Sequence, residues 1–219
     1  MIFNNPDPLF RGNINANKLS AWFPTLVYKT NIAEVLSGDY NKKLYDKAKE
    51  YQETYKTNST EWRCDTFNTL DNVDLTNEPL FEELIKFCKL HVVEFSREFG
   101  PKVNQKTGIP DVVCDSAWIN ITPPGEYQEY HYHSSSHFSL VYYIKTPENC
   151  GDLVLRSHES HMNMFPLPVM RKVVANTSTC SFTPIESQLV IFRSNIMHMA
   201  EKNKSNEDRI SVAMNFTIT

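Results

Sequence analysis

The stretch Gln128-Glu129-Tyr130-His131-Tyr132-His133, followed after Ser134-Ser135-Ser136-His137 by Phe138-Ser139-Leu140-Val141-Tyr142-Tyr143-Ile144, decides how the chain is read. Side chains on an extended backbone alternate between two faces, so His131 and His133 project from the same side. The run from Phe138 to Ile144 is aromatic and β-branched, and Pro123-Pro124-Gly125 ahead of the pair reads as a turn. Together the two runs predict a hairpin with a histidine pair near one end and two tyrosines on the return strand.

Outward from that hairpin, the pattern changes at Gly100-Pro101. On the amino-terminal side, Tyr40, Leu44, Ala48, Tyr51 and Tyr55 recur at steps of three and four, which predicts an amphipathic helix over 39–55. A second helix is predicted from Asn77-Glu78-Pro79, where a capping residue precedes a proline of the first turn, to about Phe99. Leu80, Leu84, Phe87, His91 and Phe95 share its apolar face, with His91 as a packed residue. On the carboxy-terminal side, strand candidates follow at 112–122, 126–133, 138–145, 152–156, 171–176, 179–183, 188–193 and 209–217. Helices first and strands afterwards predict an α+β fold, with the helices on one face of a β-sandwich or barrel. Trp22 to Tyr28 reads as an edge strand, Cys64 to Thr69 has weak strand character, 1–20 reads as an arm, and 157–169 as a lid or rim loop. One domain is expected over 1–219, with 1–110 as arm and supporting helices and 111–219 as the β core.

Composition removes several functions. Six glycines stand against thirteen phenylalanines and ten tyrosines, and neither GxGxxG nor GxxxxGK[ST] occurs, so nucleotide binding by those loops is not expected. A net charge of −4 gives no electrostatic basis for binding nucleic acid or an anionic membrane. No apolar run approaches the roughly 18 residues of a membrane span. The five cysteines are widely spaced, without CxxC or a leader peptide, and read as small apolar side chains in a reducing, cytoplasmic setting.

Two neutral imidazoles and one further donor make a facial set of three for Fe(II), Mn(II) or Zn(II), leaving coordination positions open. His198, behind the short apolar run Gln188 to Phe192, is the natural third donor. Glu129 falls on the face of the pair by alternation and is the alternative carboxylate. On 117–122, Trp118, Asn120 and Thr122 alternate with Ala117, Ile119 and Ile121, giving a polar and aromatic face suited to lining a pocket. His158 and His161 have no paired cysteines and read as solvated.

The order His131-x-His133, a strand ending Tyr142-Tyr143-Ile144, then His198 and Arg209-Ile210-Ser211 resembles the 2-oxoglutarate and Fe(II)-dependent oxygenases, in particular the short prolyl-4-hydroxylase-like proteins of bacteria and phages. The resemblance implies a double-stranded β-helix, a jelly-roll or cupin-like barrel braced by amino-terminal helices. It also implies Fe(II) on His131 and His198, with 2-oxoglutarate held by Arg209, Tyr143 and Ser211; Asn120 joins these as a candidate contact. The expected reaction consumes O2 and hydroxylates an unactivated C–H bond of a peptide or small molecule, a peptidyl proline being the first candidate. One departure stands out: His133 occupies the position where the family places a carboxylate. A three-histidine site keeps the facial geometry and lacks one negative charge. The rival is a cupin-like metal- or sugar-binding protein without oxygenase activity, since Gly125, His131, His133 and His137 mimic the first cupin motif, with His137 as a minor ligand candidate.

Overall fold

The computed structural model describes residues 25–36, 38–55, 63–158, 168–171, 173 and 176–219. The expected arm, the first part of the Trp22–Tyr28 run and most of the loop 157–169, His161 included, lie outside the described residues.

Both helices form where the spacing places them. Helix α1 (Tyr40–Tyr55) buries Tyr40, Leu44, Ala48 and Tyr51. Helix α2 (Pro79–Ser96) opens on Pro79, where the missing N–H has no intrahelical role. A single 3-10 turn, Arg97–Phe99, closes it, and Gly100 supplies the left-handed cap at φ 59° that a side chain would resist. The buried face of α2 runs through Phe81, Leu84, Cys88, Val92 and Phe95, so it is rotated by about one residue from the expected stripe. His91 is half-buried and lies 2.9 Å from the Tyr28 hydroxyl, which ties the helix to the first strand.

The strands are β1 (Val27–Asn31), β2 (Phe67–Asn68), β3 (Val112–Thr122), β4 (Gln128–His131), β5 (Phe138–Lys145), β6 (Leu153–Arg156), β7 (Thr179–Phe182), β8 (Gln188–Arg193), β9 (Met197–Ala200) and β10 (Arg209–Ile218). They pair antiparallel in a six-stranded sheet of order β1-β8-β5-β10-β3-β2 and a four-stranded sheet of order β4-β9-β6-β7. From β3 onward the chain crosses repeatedly between the two sheets, which is the winding of a double-stranded β-helix. The expected hairpin therefore does not form: β4 pairs with β9 in the small sheet, and β5 lies between β8 and β10 in the large one. The six residues between them, 132–137, change sheet instead of turning back. No strand is present among the described residues of 171–176.

The large sheet is buried on both faces, with different chemistry on each. In β10, Ile210, Val212, Met214 and Phe216 join the core formed with the helices. The intervening Arg209, Ser211, Ala213 and Asn215 line a cavity between the sheets. In β3 the division is Ala117, Ile119 and Ile121 against Trp118, Asn120 and Thr122. Each fully buried Ile or Leu of the helix-facing layer stabilises the fold by about 1.5–3 kcal/mol. That layer holds the sheet rigid beneath the polar face. No helix among the described residues is long and apolar enough to cross a membrane.

Candidate metal and co-substrate site

His131 ends β4 and pairs directly with His198 of β9 across the antiparallel ladder. Their rings lie 4.1 Å apart between centroids. His133 sits just beyond the strand, where its N–H donates to the Ser194 carbonyl at 2.9 Å. Its ring stacks on Trp118 at 5.6 Å and on His198 at 5.2 Å. One nitrogen from each of the three imidazoles lies within 4.8 Å of the others, the spread needed to converge on one ion.

The donor set suits a divalent metal. The Nδ1 of His131 meets the Glu129 carbonyl at 2.7 Å, and that of His198 meets the Ile196 carbonyl at 2.9 Å. A carbonyl only accepts, so both rings carry their proton on Nδ1 and keep the Nε2 lone pair for a metal. Desolvation pushes all three imidazoles below their ordinary pKa, His133 to about 4 and His198 well down. At neutral pH all three are uncharged, and His131 and His198 have Nε2 free for a metal.

Glu129 and His137 are not part of this cluster. A register irregularity between Gln128 and His131 breaks the alternation of β4, so Gln128, not Glu129, lines the cavity beside His131. His137 is exposed, and its Nδ1 accepts the Ile218 N–H at 3.0 Å.

The predicted anchors come together on the inner face of the large sheet. Tyr143 and Asn120 are the register partners of Ser211 on either side, so the three form one cross-strand row. Thr122 is the partner of Arg209 one step along. Arg209 is 4% exposed, and its Nη1 donates to the carbonyls of Cys150 at 2.8 Å, Gly151 at 3.1 Å and Glu201 at 3.3 Å. Its Nη2 lies 3.3 Å from Thr122 Oγ1. The carbonyl cradle requires Gly151: φ is +86°, and a Cβ there would collide with the Glu201 carbonyl oxygen. Burial raises the Tyr143 pKa far above neutral, so its hydroxyl stays protonated as a donor. The Asn120 Oδ1 is buried with no partner, the only such side-chain atom among the described residues. Rotated by half a turn, this amide would turn an N–H towards the orphaned position, where an acceptor ligand beside the buried arginine would satisfy it.

The sequence reading missed Thr122 as a partner of Arg209, Gln128 as cavity lining, and the Asn215 side chain against His133. Alternation along β10 from Arg209 places 211, 213 and 215 on one face, which is the signal that finds Asn215.

Residues 116–215 match the family model described as 2OG-Fe(II) oxygenase. No curated protein matches the chain. Similar solved structures include a prolyl-4-hydroxylase of Pseudomonas putida, 13% identical, covering 89% of this chain and 94% of that one at a TM-score of 0.60. A prolyl hydroxylase of Trichoplax adhaerens, in complex with a hypoxia inducible factor oxygen degradation domain peptide, is 14% identical over 88% of this chain and 83% of its own at 0.57. HygX of Streptomyces hygroscopicus, with nickel, 2-oxoglutarate and hygromycin B bound, is 13% identical over 89% and 84% at 0.56. These likenesses establish the double-stranded β-helix. The family match spans the barrel core and points to the 2-oxoglutarate and Fe(II)-dependent oxygenases over the cupin-like alternative.

Proposed function

We propose that the chain is an Fe(II)- and 2-oxoglutarate-dependent hydroxylase in which His131, His133 and His198 hold the metal and Arg209, Tyr143, Ser211 and Asn120 hold the co-substrate. The observation that carries this assignment is the meeting, in one buried cavity, of three uncharged imidazoles and an arginine gripped by three backbone carbonyls. Fe(II), when bound, supplies activation of O2 coupled to oxidative decarboxylation of 2-oxoglutarate. The protein's part is positioning. Arg209 presents its remaining N–H groups to the far carboxylate, with the Tyr143 and Ser211 hydroxyls as further donors. Its cradle fixes the guanidinium before the ligand arrives, so little side-chain entropy is lost on binding. The Asn120 amide, rotated to present its N–H, adds a donor in the same row. Phe192, its ring edge-on to His198 at 4.7 Å, gives the metal end of the cavity an apolar wall.

For the substrate we favour a proline within a peptide. The resemblance supports this choice. Supplied with Fe(II), 2-oxoglutarate and air, the protein should form succinate, and proline-rich peptides should raise the rate and gain one oxygen. His198→Ala should form none. Succinate formation in wild type that is unaffected by His198→Ala would remove the assignment.

A further inference from the structure

We infer that Asn215 is a positioning residue for the metal site, its side-chain carbonyl accepting the Nδ1 proton of His133 so that this ring offers Nε2 as a ligand. The inference rests on the three-histidine reading above and explains how the third histidine is made competent.

His131 and His198 are set by backbone carbonyls, which fix the proton on Nδ1. His133 has no such carbonyl. Its Nδ1 instead lies 3.0 Å from the amide nitrogen of Asn215. An amide nitrogen only donates, so this orientation places the His133 proton on Nε2, the nitrogen left for a metal, and blocks it. Rotating the amide by half a turn exchanges its oxygen and nitrogen with almost no change of shape. Oδ1 then accepts from His133 Nδ1–H, and Nε2 becomes a lone pair.

The surroundings accept both orientations. Ser116 of β3 and Ser139 of β5 are the register partners of Asn215 on either side. Ser116 Oγ lies 3.2 Å from one end of the amide and Ser139 Oγ 2.9 Å from the other. Hydroxyls donate or accept by rotation, so after the half turn Ser116 donates to Oδ1 and Ser139 accepts from Nδ2. The Ser139 hydroxyl donates its own hydrogen bond to Ser194 Oγ at 2.9 Å. No buried group loses a partner. Stacking on Trp118 meanwhile holds the plane of the His133 ring. The polar row thus acts as a tautomer selector beneath one metal ligand, the task the backbone performs for the other two.

The test measures Mn(II) affinity of the full chain as wild type, Asn215→Ala, Asn215→Leu, Asn215→Asp and His131→Ala. Loss of an outer partner of a metal histidine weakens binding by about 10–100-fold, and this is expected for the Ala and Leu variants. Asn215→Asp keeps an acceptor for the same proton and should bind within a few-fold of wild type. Long-range proton–nitrogen spectra of the Zn(II)-loaded wild type should show His133 protonated at Nδ1 and metal-bound at Nε2, a readout that needs no folded variant. Wild-type affinity in both Asn215→Ala and Asn215→Leu, with His131→Ala deficient, would overturn the role of Asn215 alone. So would coordination of His133 through Nδ1. Wild type and His131→Ala binding Mn(II) equally poorly would overturn the metal site itself and this inference with it.

Discussion

The two ends of the cavity solve opposite problems. At the anchor end a permanent charge, Arg209, is buried, and burial pulls its pKa below the ordinary value without discharging it. Backbone carbonyls of Cys150, Gly151 and Glu201 carry that charge, so the anchor depends on chain geometry more than on side-chain identity. At the metal end, three imidazoles are kept neutral by desolvation, and what they need is the right tautomer. Two obtain it from the backbone and one from a side chain. A fixed cation at one end and an uncharged nest for a second cation at the other suit a ligand with a carboxylate at each end.

Substitutions at each end should separate these functions. The largest effect is expected at the metal end: His131→Ala or His198→Ala should lower Mn(II) affinity on the order of 100-fold or more, exceeding the loss of an outer partner. Titration followed by electron paramagnetic resonance checks this. Arg209→Ala should cost on the order of 2–5 kcal/mol in 2-oxoglutarate binding and leave metal affinity nearly intact. Calorimetry with each ligand in turn reads both, and equal losses would merge the two ends into one unit. Gly151→Ala acts on the anchor through the backbone: forcing a side chain to φ +86° against the Glu201 oxygen should cost about 1–3 kcal/mol of stability and weaken 2-oxoglutarate binding, with Mn(II) affinity preserved.

A smaller effect is expected from pH. Unfolded imidazoles take up protons near 6.5, whereas the folded ones resist, His133 down to about 4, so the unfolded state binds more protons in between. Metal-free protein should be at full stability above about pH 6.5 and lose it progressively as the pH falls towards 4. Melting curves of wild type and His133→Ala across that window check this; a variant with equal pH dependence would contradict it. The smallest effect should come from His133→Asp, which restores the missing charge and should bind Fe(II) at least as tightly as wild type.

Much of this was legible because the chemistry follows simple periods. The span of β3 matches the expected one, and its alternation separates Trp118, Asn120 and Thr122 from Ile119 and Ile121. The same period in β10 separates Arg209, Ser211 and Asn215 from the core. Local irregularity is what escaped. The break in β4 exchanges Gln128 for Glu129 on the cavity face, which alternation cannot foresee. Strand β9 carries His198 in four residues, Met197–Ala200, too few to show a period. The sheet change after His133 turned an apparent hairpin into two facing strands. The carbonyl cradle of Arg209 is backbone chemistry from residues 58 and 8 positions away, and only Gly151 marks it in the sequence.

The central claim is that one cavity binds a metal at its histidine end and a dicarboxylate at its arginine end at the same time. Anaerobic addition of Fe(II) and 2-oxoglutarate together tests it most directly, through the weak visible charge-transfer absorption of a 2-oxo acid chelated to Fe(II). The account predicts this band in wild type, its loss in His131→Ala at any 2-oxoglutarate concentration, and its recovery in Arg209→Ala only at much higher 2-oxoglutarate. A folded wild-type protein that binds both ligands yet shows no band would place them apart and contradict the account.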